Sequence, residues 1–364
     1  MSDTRPQLKD LTLDALRAHL AERGDAPWRA DQIAAWVYAR GVEDPAAMTD
    51  LSADLRARLA ADWRWRALEV EAVERSADGT TKARLAAADG EIVEAVLIPE
   101  ERRTTLCVST QVGCPLACSF CATGALGFRR NLSTAEIIDQ VMRMRELLPE
   151  DRQITNVVFM GMGEPLLNLP RVLSAVELLL HPKAFAFAPR RVTVSTAGVV
   201  PRIAPLLEAA PVNLAVSLHA TTDAVRDVLV PLNRQFPLEL LMETLRGLPS
   251  LGPRRPVFFE YTLIRDVNDA PEDARRLVRL LRGLPSKVNA IPMNPHPGSP
   301  YRPPEPAVAE RFLAELASRG VRVTLRRPRG SDIAAACGQL AAQAPGSRFV
   351  KPPLRSAENP AGGV

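Results

Sequence analysis

The sequence predicts an α/β protein built around parallel strands, with a small, mainly helical region and a short β meander in front of them. Beyond residue 104, strand-like runs alternate with helical stretches of ten or more residues, which is typical of parallel strands joined by crossover helices. Before residue 66, the apolar residues recur at helical spacing instead. The 364 residues suffice for one large domain and one small one.

The first region, residues 1–66, is predicted to contain three short helices as an accessory domain. Their apolar faces are marked by Leu13, Leu16 and Leu20, by Ile33, Trp36 and Val37, and by Leu51, Leu55 and Leu59. All four tryptophans of the chain (Trp28, Trp36, Trp63 and Trp65) fall here, and we expect them to fill a small core. The alternative is that some of them contact RNA together with Arg29, Arg64 and Arg66.

The remaining chain divides into three further regions. Residues 67–103 indicate a meander of strands around the turn signals Asp78-Gly79 and Asp89-Gly90. Residues 104–344 form the main domain, in which Ser133 and Glu136 make a capping box that predicts a helix over 133–148. Residues 345–364 are rich in Pro, Gly and Ala and indicate a loose tail. The strands expected in the main domain are 104–109, 155–160, 191–196, 212–218, 256–264, 286–291 and 321–326.

The composition is that of a soluble globular protein, with 46% hydrophobic and 24% charged residues. The polar start and the lack of a long apolar run predict a cytoplasmic protein without a membrane segment. A net charge of +4 permits an RNA partner without requiring one. Four of the five cysteines fall within fifteen positions, whereas the four histidines are scattered. Such clustering favours metal binding or thiol chemistry over structural disulfides.

The cysteine cluster has the spacing of an iron-sulfur site. Residues 113–124, GCPLACSFCATG, place Cys114, Cys118 and Cys121 at C-x3-C-x2-C spacing after a strand. Three thiolates suit a 4Fe-4S cluster with one open iron, which can bind the amino and carboxylate groups of S-adenosylmethionine and deliver an electron that splits its sulfonium. A structural zinc site is the alternative. Zinc usually has four ligands, however, and neither remaining cysteine completes a familiar zinc spacing.

A glycine-rich turn, GMGEP at residues 161–165, follows the strand expected at 155–160. Alone it is weak evidence, because such sequences are often only tight turns. Beside a cluster motif its meaning is sharper, since the glycines let the backbone approach a ligand. Glu164 can then accept a hydrogen bond from the methionyl ammonium, and the ring of Phe120 can lie near the adenine.

Longer stretches carry a resemblance to a known family. They include IPEERRTTLCVSTQVGCPLACSFCATG, GMGEPLLN, RRVTVSTAGVVP, VSLHATTDAVRD, MNPHPGSPY and RGSDIAAACGQL. On these motifs the chain resembles the RlmN/Cfr family of radical S-adenosylmethionine RNA methyltransferases from about Leu11 to Leu340. The resemblance implies that the main domain is a partial (β/α)6 TIM-like barrel, the radical S-adenosylmethionine core. It also implies contacts to S-adenosylmethionine at Gly163, Glu164, Ser195, Ser217, Leu218, His219 and Asn294.

Three more residues gain a role only through this resemblance. Alone, Cys107 and Glu94 read as ordinary strand residues, buried and solvated respectively, and Cys337 reads as a helix residue without a function. The resemblance implies that both cysteines are catalytic and that Glu94 helps to deprotonate an RNA adduct. In the implied scheme, a methyl group carried on Cys337 is activated by the radical and joined to adenine C2. Cys107 then attacks the Cys337 sulfur and releases methylated RNA.

The implied substrate is an adenine in 23S rRNA and, in addition, the adenosine 3′ of the tRNA anticodon. The implied electron donor is a flavodoxin or ferredoxin, and a monomer is expected. Two alternatives stay open: methylation of adenine C8, as in the Cfr branch, and a zinc-containing RNA-binding protein without catalysis. Arginines beside the motifs could guide RNA, although each alone could equally belong to a solvated face. They are Arg129, Arg130, Arg322, Arg326, Arg327 and Arg329.

Overall fold

The computed structural model describes residues 3–340, so the tail expected at 345–364 lies outside the described residues. The strands are β1 (Leu68–Arg75), β2 (Thr81–Ala87), β3 (Ile92–Pro99), β4 (Thr104–Cys107), β5 (Gln111–Gly113), β6 (Phe128–Asn131), β7 (Asn156–Phe159), β8 (Val192–Thr196), β9 (Asn213–Ser217), β10 (Val257–Leu263), β11 (Ser286–Pro292) and β12 (Val323–Leu325). The α-helices are α1 (Leu13–Glu22), α2 (Arg29–Ala34), α3 (Ala53–Asp62), α4 (Ala122–Ala125), α5 (Thr134–Glu146), α6 (Leu169–Leu180), α7 (Ile203–Ala209), α8 (Asp223–Leu229), α9 (Leu238–Arg246), α10 (Pro271–Leu281) and α11 (Pro306–Ser318).

Ten strands form one sheet in the order β1-β2-β3-β4-β7-β8-β9-β10-β11-β12. The meander strands β1 to β4 pair antiparallel, and every pair from β4 to β12 is parallel. Each of the seven strands predicted for the main domain is present. Helices lie between each of the six strands β4, β7, β8, β9, β10 and β11 and its next parallel neighbour, which makes six strand–helix units followed by β12. The predicted partial (β/α)6 barrel is therefore confirmed.

The cysteine loop (residues 114–127) is carried by a separate hairpin that the sequence did not predict. After β4, the chain forms β5, which pairs antiparallel with β6 on the far side of the loop. Gly113, immediately before the first cluster cysteine, has φ +73°, and a Cβ there would lie 1.8 Å from the Gly127 carbonyl oxygen. Only glycine permits this close approach, which fixes where the loop leaves the hairpin.

The N-terminal region contains the three predicted helices, with α2 continuing into one π-helical turn at Ala35–Ala39. Trp63 is buried with its aromatic edge against His19, as expected for a small core. Trp28 is 54% exposed, so the core interpretation is wrong for this residue. The guanidinium of Arg29 lies 4.1 Å from the Trp28 ring centroid, a cation–π contact at the surface.

A buried group of charges joins the N-terminal region to α5, which begins after the predicted Ser133–Glu136 capping box. Lys9 pairs with Asp139 of α5 and with Glu43, and Glu43 also pairs with Arg143 of α5. Lys9 and Asp139 have fully buried side chains. Each charge is compensated by at least one opposite charge, which is the condition under which buried ions are tolerated.

We predict that Lys9→Met strongly destabilises the protein. The substitution leaves the buried Asp139 carboxylate without an opposite charge, whereas Glu43 keeps Arg143, and breaking a buried pair in this way costs roughly 3–5 kcal/mol. Arg17→Met is the matched control, because Arg17 pairs with Asp14 and Asp31 near the surface, where all three side chains are at least 32% exposed, and such pairs contribute only about 0–1 kcal/mol each. Urea unfolding gives both free energies. Equal losses in the two variants would contradict a special role for the buried group.

Candidate active site

One cavity gathers most of the predicted site residues at the carboxyl ends of the parallel strands. Its walls come from the cysteine loop, from the strand ends, and from residues 330–340, which we name the Cys337 segment. Of the predicted site residues, Leu218 and Glu94 are missing from these walls. Those that line the cavity are Cys107, Cys114, Cys118, Cys121, Gly163, Glu164, Ser195, Ser217, His219, Asn294 and Cys337.

Apolar packing holds the cysteine loop over the strand ends. Leu116, Cys118 and Phe120 pack against a small buried cluster that includes Ile264 and Met293, which follow β10 and β11. The Ser119 backbone N–H donates to the Leu229 carbonyl at 3.1 Å, and its hydroxyl lies 2.9 Å from the Tyr301 hydroxyl. The loop is thus fixed by contacts with elements far along the chain.

The three loop thiols fit an iron-sulfur cluster by their chemistry. Burial raises the pKa of Cys114 to about 12 and raises that of Cys118 and Cys121 as well. A bound metal removes such protons outright. Within residues 3–340, no group of three or more Cys, His, Asp or Glu side chains surrounds a single metal-ion position. In a cubane cluster each thiolate binds a different iron, so its ligands need not converge on one point.

Glu164 is held at the floor of the cavity by two backbone N–H groups. Leu166 donates to its Oε1 at 3.0 Å and Ala197 donates to its Oε2 at 2.8 Å. Burial raises the pKa of this carboxyl to about 7, and the two hydrogen bonds oppose that rise. Each carboxylate oxygen can accept two hydrogen bonds, so Glu164 can still accept one from a ligand donor such as an ammonium group.

His219 presents a neutral ring with a defined tautomer. Burial lowers its pKa to about 3, so the ring is uncharged at neutral pH. Its Nδ1 accepts a hydrogen bond from the Thr262 backbone N–H at 3.0 Å, which places the ring proton on Nε2. The ring centroid lies 4.6 Å from that of Phe120 in the cysteine loop. His219 therefore offers an N–H donor beside an aromatic ring.

Arg226 organises the ends of β8 and β9, a role that sequence reasoning missed. Its fully buried guanidinium donates to the carbonyls of Ala197 at 2.7 Å and of Ser217 and Leu218 at 3.0 Å. Leu218 has a buried side chain in the apolar core, and its carbonyl is occupied by Arg226. The structure therefore places Leu218 behind the site, with Ser217 and His219 facing the cavity on either side of it.

The Cys337 segment is tied to the far side of the site by hydrogen bonds. Asn294 Nδ2 donates to the Cys337 carbonyl at 3.0 Å, and the Ala122 backbone N–H donates to the Gly338 carbonyl at 2.8 Å. Cys337 itself lies in a turn, after a short 3-10 helix at Ser331–Ile333. The interpretation of Cys337 as a helix residue is wrong. Ala334 has a left-handed backbone conformation directly after the 3-10 helix, so the helix ends before it reaches Cys337.

The β meander holds the other end of the same segment. Asp332 accepts hydrogen bonds from the Ser76 hydroxyl at 2.6 Å and from the Ala77 backbone N–H at 3.2 Å. Lys82 on β2 donates to the Ile333 carbonyl at 2.6 Å. These bonds join residues about 250 positions apart, and they make the meander a support for Cys337.

Cys107 and Cys337 are far apart in the sequence but line the same cavity. Cys107 ends β4, where burial raises its pKa to about 12, a nearby Cys337 raises it further, and the Arg326 guanidinium opposes the rise. At neutral pH this thiol is protonated. An attack by Cys107 as a thiolate therefore requires that its proton be removed within the site.

Glu94 is buried, so its interpretation as a solvated strand residue is wrong. Its Oε1 lies 3.5 Å from the Lys82 ammonium. Glu94 lines a neighbouring cavity together with Lys82, Ile333 and Gln339. The Cys337 segment contributes to both cavities, so Glu94 lines a cavity that adjoins the one with the cluster cysteines.

Five of the six arginines near the motifs fall into two groups, and the sixth, Arg322, is exposed and does not line the cavity. Arg129 pairs with Glu91, and Arg130 pairs with Asp89 and Glu136, so the charges after the cysteine loop are already compensated. The second group, Arg326, Arg327 and Arg329, lines the cavity itself. The structure thus favours the second group for contact with a bound substrate.

Fold and site together define a radical S-adenosylmethionine enzyme. The radical SAM superfamily model matches residues 108–279, and the model of the ribosomal RNA large subunit methyltransferase N-terminal domain matches residues 6–64. The chain is 48% identical over 349 residues to the dual-specificity RNA methyltransferase RlmN of Anaeromyxobacter dehalogenans, covering 94% of each chain. The same enzyme of Geobacter sulfurreducens is 48% identical over 338 residues, which cover 93% of this chain and 92% of the relative.

A solved structure agrees with these relatives. The crystal structure of a radical SAM methyltransferase from Sphaerobacter thermophilus superposes with a TM-score of 0.87 at 44% identity, covering 93% of this chain and 100% of that one. This chain belongs to the RlmN family of dual-specificity RNA methyltransferases. Family membership also rules out the zinc-containing protein without catalysis. Among residues 3–340, none of the helices has the length and apolar character needed to cross a membrane.

We predict that Cys118→Ala protein loses its iron-sulfur cluster, because two thiolates do not hold a cubane with one open iron. Cys337→Ala is the matched control, since it removes a thiol from the same cavity outside the C-x3-C-x2-C motif. Iron content per chain and visible absorption after anaerobic preparation measure the effect. A full iron content in Cys118→Ala, or the same loss in both variants, would contradict the assignment.

Proposed function

We propose that this protein methylates C2 of an adenine in 23S rRNA and of the adenosine 3′ of the tRNA anticodon, using two S-adenosylmethionine molecules per methyl group.

One observation carries the proposal: Cys107 and Cys337, distant in the chain, line the same cavity as the three loop cysteines. Both are free thiols in the structure. The RNA substrate is supported by the dual-specificity relatives.

The acceptor carbon explains why this chemistry is needed. Adenine C2 lies between two ring nitrogens and is electron-poor, so it does not attack a sulfonium as a nucleophile. A 4Fe-4S cluster on Cys114, Cys118 and Cys121 would supply, when bound, the electron that splits S-adenosylmethionine into a carbon radical. The target base must leave its stack to reach a cavity of this kind.

The cavity walls supply the polar groups that S-adenosylmethionine requires. Glu164 accepts from the methionyl ammonium, and the Nε2–H of His219 donates to the nucleoside part. Ser195, Ser217 and Asn294 offer further hydrogen bonds at the ends of three strands. At Gly163, with φ +97°, a Cβ would lie 2.5 Å from the Gln111 Cβ, so only glycine lets this turn of the cavity wall pack against β5.

The two thiols divide the transfer between them. The Cys337 sulfur first accepts a methyl group from one S-adenosylmethionine. A hydrogen atom of that methyl group passes to the deoxyadenosyl radical formed from the second, and the resulting methylene carbon bonds to C2. Loss of the C2 proton and one electron then restores the ring; Glu94 is our candidate base, and the electron would return to the cluster that Cys114, Cys118 and Cys121 would hold. The Cys107 thiolate then attacks the Cys337 sulfur, and the S–S bond forms as the C–S bond breaks. The released carbon takes up a proton and becomes the methyl group.

Two partners follow from this scheme. An electron carrier of low potential, a flavodoxin or ferredoxin, would feed the cluster, and an external reductant would reopen the Cys107–Cys337 disulfide after each turnover. We propose that the protein works as a monomer in the cytoplasm, where both RNA substrates are found.

Methylation at C8 uses the same cluster and the same two cysteines, so the position of the methyl group needs a direct test. We expect RNA from a deletion strain to lack 2-methyladenosine in both 23S rRNA and tRNA, and to regain it on complementation. Mass spectrometry of digested RNA distinguishes the isomers. Loss of 8-methyladenosine instead would replace C2 with C8 in the proposal.

We predict that Cys107→Ala protein traps a covalent RNA adduct and loses all turnover. Without Cys107, no thiolate attacks the Cys337 sulfur and the carbon–sulfur bond persists. A denaturing gel with labelled RNA detects the adduct. Cys337→Ala is the control, because it removes the attachment atom and should give neither adduct nor product. Free methylated RNA from the Cys107 variant would refute the exchange step.

A further inference from the structure

A row of polar residues crosses four neighbouring strands at one level of the sheet. Glu260 on β10 is in register with Ser217 on β9 and with Asn289 on β11, and Asn289 is in register with Thr324 on β12. The Thr324 hydroxyl donates to Asn289 Oδ1 at 2.8 Å, and Asn289 Nδ2 donates to Glu260 Oε1 at 2.8 Å. The amide orientation is thereby fixed, so Oε1 of Glu260 acts as an acceptor.

The second oxygen of Glu260 is buried and unpaired. The residue is 5% exposed and lines the cavity that contains Cys107 and Cys337. Among the described residues, its Oε2 has no hydrogen-bond partner. An unsatisfied buried polar group costs about 1–3 kcal/mol, and more when charged. Such an atom in the wall of a substrate cavity indicates a contact that is completed by a ligand.

The surroundings of Glu260 indicate which ligand this is. Glu260, Arg326, Cys107 and Cys337 line the same cavity, and the Arg326 backbone N–H donates to the carbonyl of Ala290, the residue after Asn289, at 2.8 Å. In agreement with this placement, Cys337, Glu260 and Cys107 raise the pKa of the Arg326 guanidinium. Glu260 therefore belongs to the thiol end of the cavity. Because the methylene group on Cys337 must bond directly to C2, the target adenine has to occupy the thiol end of the cavity.

We propose that Glu260 Oε2 accepts a hydrogen bond from the exocyclic amino group of the target adenine. This inference rests on the proposed function and adds a residue that selects the base. Guanine presents an oxygen in place of that amino group, and two acceptors facing each other in a buried site repel. Asn289 and Thr324 act as positioning residues, because they hold Glu260 at the required angle.

The test is a double-mutant cycle between the protein and the RNA. Wild-type and Glu260→Gln proteins are compared on RNA that carries adenosine or purine riboside, which lacks the amino group, at the target position. A hydrogen bond to a charged group corresponds to a roughly 10- to 100-fold change in kcat/KM. Each single change should cause such a loss, and the combination should add little more. Independent, multiplying losses would overturn the contact.

Controls separate this result from other causes. Glu100→Gln removes a carboxylate that also influences Arg326 but is paired with Arg103 outside the cavity, and its kcat/KM should stay at the wild-type value. Iron content and S-adenosylmethionine affinity of Glu260→Gln should be unchanged. Weakened S-adenosylmethionine binding would assign Glu260 to the cofactor and overturn the proposal.

A second variant guards against a folding defect. Glu260→Asp keeps the charge but withdraws it from the base, so it should give a partial loss on adenosine RNA and little change on purine riboside RNA. Equal losses on both RNAs in both variants would indicate a structural role only. If wild-type protein forms no 2-methyladenosine at all, the proposed function fails first, and that outcome is visible before any variant is compared.

Discussion

The site depends on one constraint, which is that a short segment near residue 337 must be held between the two ends of an open sheet. On one end, Lys82 of β2 holds the Ile333 carbonyl, and on the other, Asn294 after β11 holds the Cys337 carbonyl. Both bonds use main-chain oxygens of the segment, so the position of the sulfur follows from backbone placement. Without them, Cys107 at the end of β4 would have no partner thiol.

Exclusion of water governs the remaining chemistry. Burial raises the pKa of Cys107 and lowers that of His219, so both groups are uncharged at neutral pH. It also raises the pKa of Glu164 to about 7. In such a setting, each charge needs a fixed counterpart, since solvent does not screen it. Arg326 serves this purpose beside the thiols, whereas Arg226, outside the cavity wall, binds the main-chain carbonyls at the ends of β8 and β9.

Local signals explain what the sequence could predict. The parallel strands, α5 with its capping box and the cysteine spacing all follow from short-range patterns. The burial of Glu94 was missed because its partner Lys82 lies on another strand, and no spacing rule connects them. The same holds for Glu260, whose importance depends on the register of four strands. Leu218 shows the reverse limit, since a motif position does not reveal that its side chain lies in the core while Ser217 and His219 line the cavity.

The placement of Cys337 also affects the order in which the enzyme becomes competent. Domains form as the chain leaves the ribosome from its N-terminus, so the sheet up to β11 can assemble while this segment is still being made. During that interval, a nascent molecule lacks Cys337, the thiol to which we assign the methyl group, and also the Gly338 carbonyl that accepts from Ala122 in the cysteine loop. The methyl transfer that we propose therefore waits until translation has passed this segment.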